Sequence, residues 1–418
     1  MNSQVVFCTY DSPTSIGGPF SLLGRLLPEL RSHGIDCRIL ALTHFGGTGP
    51  LIEQLQKLNF EVNAVNCHDS IYDQVRWILE QLHEAPPSVF VPNFVLAGLY
   101  AGKWLKQTGC TTVGVLHSDD NFYRAIQDVF VFGRQDFQLT DVVCVSEMLL
   151  QQIHTDLRKS STNPCYIAPG VDLPETILPK PLTPFRIAYV GRLVEEQKRI
   201  SLVTRSLIAA CKAIPGCEAW IIGDGPDRNV VEQLIRENSA DDSVKLLGKT
   251  NPEEVPSKLQ ACHVITLLSD YEGLPIALLE GMASGCVPVC RYMRSGIPQL
   301  IKQDHTGFVV GEDPKDFVEI IRRLNSNRAL TQQVSENGTK LVQNNYTHTI
   351  SVQKWMDLLL SKSSKKPPAP FNLPRKIHLP AAHPDLEATS MRPKIANPLL
   401  LQLRRLRKRL GAIRRRIL

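Results

Sequence analysis

The sequence predicts an α/β protein built from two doubly wound, Rossmann-like domains facing a cleft, with a basic tail behind them. Three observations carry this. Short apolar, β-branched runs alternate with helix-forming stretches through most of the chain, the rhythm of a parallel sheet covered on both faces. A proline-rich stretch, Leu173-Pro-Glu-Thr-Ile-Leu-Pro-Lys-Pro-Leu-Thr-Pro184, interrupts the alternation, which then restarts. A length of 418 residues also exceeds one typical core.

Taken in order, Gln4–Tyr10 reads as a strand, followed by a glycine turn at Ser15-Ile-Gly-Gly-Pro19 and a helix to about Ser32. Asp36–Thr43 is the next strand and Pro50–Leu58 the next helix. Ser88–Val91, Thr111–Leu116 and Asp141–Ser146 continue the series. After the break come Phe185–Val190, Glu218–Gly223, Val244–Gly248 and Val264–Leu268. The expected division is residues 1–176, a linker at 177–184, and a second domain at 185–344. Residues 345–361 form a last helix that returns to the first domain. A tail at 362–418 is unfolded until about residue 397, where apolar periodicity resumes. Doubly wound domains joined by a hinge bind ligands in the cleft, beside strand C-termini.

Composition narrows the function class. With 43% hydrophobic residues and a mean hydropathy of −0.10, the chain reads as a soluble globular protein. No apolar run reaches membrane-spanning length, and Met1-Asn-Ser-Gln leads straight into an apolar strand with no basic-then-apolar leader. The eleven cysteines are scattered and never spaced Cys-x-x-Cys, which predicts a reduced, cytoplasmic protein without structural zinc. Cys286 and Cys290 read as packing residues. The net charge of +6 hides a split: residues 362–418 hold fifteen Lys and Arg against two acids, so the body is mildly acidic.

Residues 269–286, Ser-Asp-Tyr-Glu-Gly-Leu-Pro-Ile-Ala-Leu-Leu-Glu-Gly-Met-Ala-Ser-Gly-Cys, are the most informative stretch. Glu272 stands at a strand's C-terminal edge, and Glu280 about one turn into the helix that follows. The free N–H groups and macrodipole of that helix start form an anion site between two carboxylate acceptors. A phosphorylated, hydroxyl-rich ligand such as a sugar nucleotide fits; two ordinary surface glutamates fit as well. The second constellation is Gly191-Arg192-Leu-Val-Glu-Glu-Gln-Lys198, directly after a strand. Its fork-shaped guanidinium and point-charge ammonium suit a diphosphate.

In order and spacing, these motifs resemble the retaining GT-B glycosyltransferases of family 4 (glycosyltransferase group 1), up to about residue 360. Further marks are Gly17-Gly18, Val145-Ser-Glu-Met, Ile167-Ala-Pro-Gly-Val-Asp172 and Ile222-Gly-Asp-Gly-Pro226, the last including Gly223 and Gly225. The resemblance implies a nucleotide-sugar donor, with Arg192 and Lys198 on its diphosphate, Glu280 on its ribose hydroxyls, and Gly223 and Gly225 also in its binding site. Glu272 and the backbone of Gly273, Leu274 and Pro275 would face the transferred sugar. Gly17 and Gly18 would let the first domain approach the phosphates, and His117 would stand on the acceptor side. It also implies retention of anomeric configuration, with Glu272 either nucleophile or orienting group. A lone histidine at a strand end is also often a structural residue. Three positions depart from the pattern: the family's Lys-Gly is Lys198-Arg199, its usual glutamate is Gln299, and Gly285-Cys-Val-Pro288 is one residue longer. No Asp-x-Asp motif or glycine-rich dinucleotide fingerprint occurs, so neither metal nor other cofactor is expected.

The tail ends in Leu399, Leu403, Leu406, Leu410, Ile413 and Ile417 at alternating spacings of four and three, with eight Arg and Lys between them. This basic amphipathic pattern suits an anionic membrane surface through Leu399–Leu418. A coiled-coil seam, a nucleic-acid contact and a solvated end are the alternatives, and nucleic acid is not expected. The expected function is therefore a peripheral enzyme at the inner face of a membrane, in cell-envelope glycan synthesis. It would transfer sugar to a lipid, lipid-linked or glycan acceptor. A catalytically silent adaptor with the same fold is the other class.

Overall fold

The computed structural model describes residues 5–13, 17–43, 47–67, 70–156, 160–362 and 368–387. In the first domain the chain runs β1 (Val5–Asp11), α1 (Gly18–Ser32), β2 (Cys37–Thr43), α2 (Pro50–Lys57), β3 (Glu61–Asn66) and α3 (Ile71–Leu82). It continues through β4 (Val89–Asn93), α4 (Leu96–Lys106), β5 (Thr111–Leu116), α5 (Asn121–Phe130), β6 (Asp141–Cys144), α6 (Glu147–Asp156) and β7 (Asn163–Tyr166). These strands form one parallel sheet of order β3-β2-β1-β4-β5-β6-β7. Central strands such as Val5-Val-Phe-Cys8 are fully buried because helices cover both faces, which is why they read as unbroken apolar runs.

The second domain repeats the plan. It comprises β8 (Phe185–Val190), α7 (Glu195–Lys198), α8 (Ile200–Ala213), β9 (Cys217–Ile222), α9 (Arg228–Glu237), β10 (Val244–Gly248) and α10 (Val255–Gln260). Then follow β11 (Val264–Leu267), α11 (Ile276–Ala283), β12 (Val287–Arg291), α12 (Ile297–Leu300), β13 (Phe308–Val310), α13 (Pro314–Ser326) and α14 (Arg328–Asn345). Its sheet is again parallel, in the order β10-β9-β8-β11-β12-β13. In each sheet the order reverses beside the domain's first strand, at β1/β4 and β8/β11, and crevices open at such points.

Helix α15 (His348–Lys362) packs on the first domain. Trp355 meets Phe7 with ring centroids 6.4 Å apart, Ser351 Oγ donates to Ala168 O (2.7 Å), and Lys362 pairs with Asp141 (2.7 Å). Beyond it, composition reads as unfolded chain, yet residues 368–378 lie along α3. Phe371 N donates to His83 O (3.0 Å), and Arg76 reaches the carbonyls of Pro374 and Arg375 (3.5 Å each). The Phe371 ring also meets His83 edge-on (6.4 Å), but the other contacts are made by the strap's backbone, which no apolar period announces. A separate unit begins at Leu379 and includes the short helix α16 (Pro384–Glu387). The amphipathic stretch Leu399–Leu418 lies outside the described residues.

Candidate active site

The two constellations emerge from neighbouring strands at the second switch point. β8 delivers Gly191 and Arg192, and β11, its parallel partner, delivers Ser269–Glu272. The Arg192 loop is pinned from behind. Tyr189 Oη donates to Arg192 O (2.8 Å), Gly191 N to Ile222 O (3.0 Å) and Leu193 N to Asp224 O (3.0 Å). Gly223, at φ 144, is required here because a Cβ would run into Gly191 O. Gly225 lies similarly against the Leu193 backbone. Both glycines thus support the loop that carries Arg192.

A ladder of contacts then joins the two loops. Asp270 N donates to Gln197 O (2.9 Å) and Gln197 Nε2 to Tyr271 O (3.2 Å). Arg192 Nη2 donates to Gln197 Oε1 (3.0 Å), and Lys198 Nζ sits 2.5 Å from Glu272 Oε1. Glu272 is 7% exposed, and Gly273, Leu274 and Pro275 beside it are buried. Ile276 opens α11 with no side-chain cap, leaving first-turn N–H groups without a side-chain acceptor among the described residues.

The first domain closes on this site. Gly17, at φ 146, starts α1, which also lacks a side-chain cap. A Cβ at Gly18 would stand 3.5 Å from Ile276 Cδ1, so two helix N-termini, one per domain, converge. That spacing is ordinary van der Waals contact, so the protein itself does not demand glycine at 18. One turn along α11, Glu280 Oε1 accepts from Arg25 Nη2 of α1 at 2.8 Å. This cross-cleft pair was invisible in the sequence, where Arg25 is one polar position on an amphipathic helix, 255 residues from its partner.

His117 follows β5, and its backbone carbonyl lies where a Cβ on Gly273 would fall. Its ring meets Phe94 and Tyr123 edge-on, with centroids 6.1 and 5.9 Å away. Nε2 donates to Asn93 Oδ1 (2.6 Å), which leaves Nδ1 as an acceptor. Burial pushes the imidazole pKa down to about 3, so it is neutral at ordinary pH. Nothing in the local sequence marks Asn93; its left-handed backbone, φ 49 at the end of β4, is a feature only the fold reveals. Nearby, burial raises the Asp120 carboxyl. Gln299 ties the domains together: it accepts from Glu147 N (2.9 Å) and donates to the hydroxyls of Tyr166 (2.8 Å) and Tyr346 (3.1 Å).

The structure therefore brings Gly17, Gly18, Arg192, Lys198, Glu272–Pro275 and Glu280 together where the two domains meet, with His117 against Gly273 and with Gly223 and Gly225 behind the Arg192 loop. No group of three or more His, Cys, Asp or Glu capable of holding a metal ion occurs among the described residues. The eleven cysteines are free thiols.

Residues 175–341 match the family model described as glycosyl transferases group 1. Among curated proteins, the amylovoran biosynthesis glycosyltransferase AmsK of Erwinia amylovora is 34% identical over 157 residues, 35% of this chain and 37% of that protein. A UDP-Gal:alpha-D-GlcNAc-diphosphoundecaprenol alpha-1,3-galactosyltransferase of Escherichia coli is 26% identical over 239 residues, 53% of this chain and 60% of that protein. The alignments span about a third of the length of the first curated relatives. Among solved structures, Anabaena HepE in complex with UDP superposes with a TM-score of 0.67 at 16% identity, covering 86% of this chain and all of that one. That likeness establishes the two-domain GT-B fold.

Proposed function

We propose that this chain is a group 1 glycosyltransferase that moves a sugar from a nucleotide-sugar donor, with retention of configuration, onto a lipid-linked or other glycan acceptor at a membrane surface. The carrying observation is the junction of Arg192, Lys198, Glu272 and Glu280 with two uncapped helix N-termini, one from each domain. Cleaving the sugar–phosphate bond leaves positive charge at the anomeric carbon and negative charge on the departing diphosphate. Arg192, Lys198 and the first turn of α11 stand ready where that negative charge grows, so little reorganisation accompanies the reaction. A diphosphate competes with Glu272 for Lys198, and the released carboxylate turns to the sugar. Orientation of the sugar by Glu272 and the neighbouring backbone is the role favoured over nucleophilic attack, by family resemblance.

Glu280 takes the ribose hydroxyls, and neutral His117, with Nδ1 unprotonated, accepts a hydrogen bond from the sugar or acceptor. These side chains and backbone groups supply the positive charge themselves, so the reaction proceeds without a divalent metal. The lipid-linked acceptor is supported by the Escherichia coli relative, whose name states a diphosphoundecaprenol acceptor. Membrane attachment rests on the basic pattern of Leu399–Leu418. No described helix is long and apolar enough to cross a membrane. A thermal-shift panel of UDP-, GDP-, ADP- and dTDP-sugars tests the donor site: one class should raise the unfolding midpoint, because ligands of the native state stabilise it. No shift with any of them would contradict the proposal.

A further inference from the structure

Arg199 follows Lys198 and occupies the left-handed region, with φ 50 and ψ 49. It ends α7 and precedes α8, a junction where glycine sits without strain and any residue bearing a Cβ does not. The side chain is what arginine adds. Its Nη1 lies 3.4 Å from Glu312 Oε1 and 3.7 Å from Asp270 Oδ1. Arg291 faces the same two acids, 2.8 Å from Asp270 Oδ1 and 3.7 Å from Glu312 Oε1, and donates to Ser269 O (3.3 Å). Two guanidiniums and two carboxylates thus alternate in a neutral ring that joins four segments. These are the Lys198 loop, the loop after β11, the end of β12 and the loop after β13. Asp270 stands two residues before Glu272, and Arg199 one residue after Lys198, so this ring flanks the Lys198–Glu272 pair.

We propose that Arg199 is a positioning residue for the donor site. Through Asp270 and Glu312 it holds the cation-bearing loop against the carboxylate-bearing loop, at the separation a nucleoside diphosphate requires. The inference rests on the donor-site reading above. The loops already share backbone contacts at Gln197–Asp270 and Gln197–Tyr271, so folding does not depend on Arg199. The direction in which Lys198 and Glu272 present their charges does. The strained backbone persists because the side chain's contacts compensate for it.

The test titrates UDP, ADP, GDP and dTDP into the purified full chain by calorimetry, with thermal unfolding of the same samples. For the diphosphate bound most tightly by wild type, Arg199→Gly should weaken binding roughly threefold to tenfold, the scale of one partly exposed ion-pair cluster. Its unfolding midpoint should stay level or rise, because glycine relieves the strain. Arg199→Lys should recover part of the affinity. Glu312→Gln, which removes the carboxylate nearest Arg199, should resemble Arg199→Gly, and the double variant should be no weaker than either single one. Wild-type affinity in Arg199→Gly overturns the proposal, as does a loss of affinity that merely follows a falling midpoint. If wild type binds none of the four diphosphates, the donor-site reading fails first and this inference with it.

Discussion

Replacing Lys198 by methionine separates what the Lys198–Glu272 pair does for folding from what it does for chemistry. The pair is 2.5 Å apart with side chains only 14% and 8% exposed, so removing the ammonium strands a buried carboxylate. Stranding one member of a buried pair costs about 3–5 kcal/mol, and the opening toward the cleft places this case near the lower figure. About 3 kcal/mol lowers the midpoint by roughly 6–12 °C for a domain of 150–250 residues. Lys198→Met/Glu272→Gln removes the orphaned charge and should return stability to within about 1 kcal/mol of wild type. Turnover should behave otherwise. Losing one preorganised stabiliser of the leaving group costs about 10²–10³-fold, and the second substitution restores none of it. Scanning calorimetry and nucleoside-diphosphate release measure the two quantities on the same preparations. Recovered turnover in the double variant, or equal midpoints in the single and double variants, would show that the pair has no such divided role.

Activity should survive EDTA, since the leaving group's countercharge is proposed to come from Arg192, Lys198 and backbone N–H groups; loss on chelation with recovery on adding Mg²⁺ or Mn²⁺ would contradict this. Truncation after Glu387 spares the strap at 368–378 and should release the protein from anionic vesicles while donor hydrolysis continues, because each basic residue near such a surface contributes about 1 kcal/mol. Co-sedimentation of the truncated chain would place the membrane contact elsewhere. His263 is buried, accepts from Arg186 N at Nδ1 (3.1 Å) and donates to Pro181 O (2.9 Å), and burial drives its pKa down to about 4. Its unfolded form takes up a proton below about pH 6.5 that the folded form refuses. Stability should therefore fall between about pH 6.5 and 4, by at most about 1.4 kcal/mol per pH unit from this group, and His263→Asn should flatten that slope. His117, held neutral in the same way, should put no limb near pH 6.5 in the rate profile; such a limb, abolished in His117→Asn, would show that it titrates there.

The fold was legible wherever burial on both faces produced continuous apolar strands. Thr111–Leu116 and Phe185–Val190 fall at the boundaries the sequence indicates. Edge strands were legible only at Val244–Gly248, where Val and two Leu still mark the run. Half-polar Glu61–Asn66 and four-residue Asn163–Tyr166 expose one flank to solvent, while Pro288 disguises β12 because proline is rare inside sheets. At the site, the residues that terminate strands were legible, since turn glycines and charged loops follow each apolar run. The cross-domain contacts were not. Arg25–Glu280 and Gln299 with Tyr166 and Tyr346 depend on how two sheets approach, which no local pattern encodes. Arg199 lies between these cases: its departure from a Lys-Gly pair was visible, but its strained backbone and its ring of charges were not.

The most direct test of the central claim is nucleoside-diphosphate release by the purified full chain, incubated with each of a panel of UDP-, GDP-, ADP- and dTDP-sugars and no acceptor. Slow release from one donor class is expected, with water replacing the acceptor, and a loss of about 10²–10³-fold in Arg192→Ala. Release from no donor, or equal release by wild type and Arg192→Ala, would contradict it.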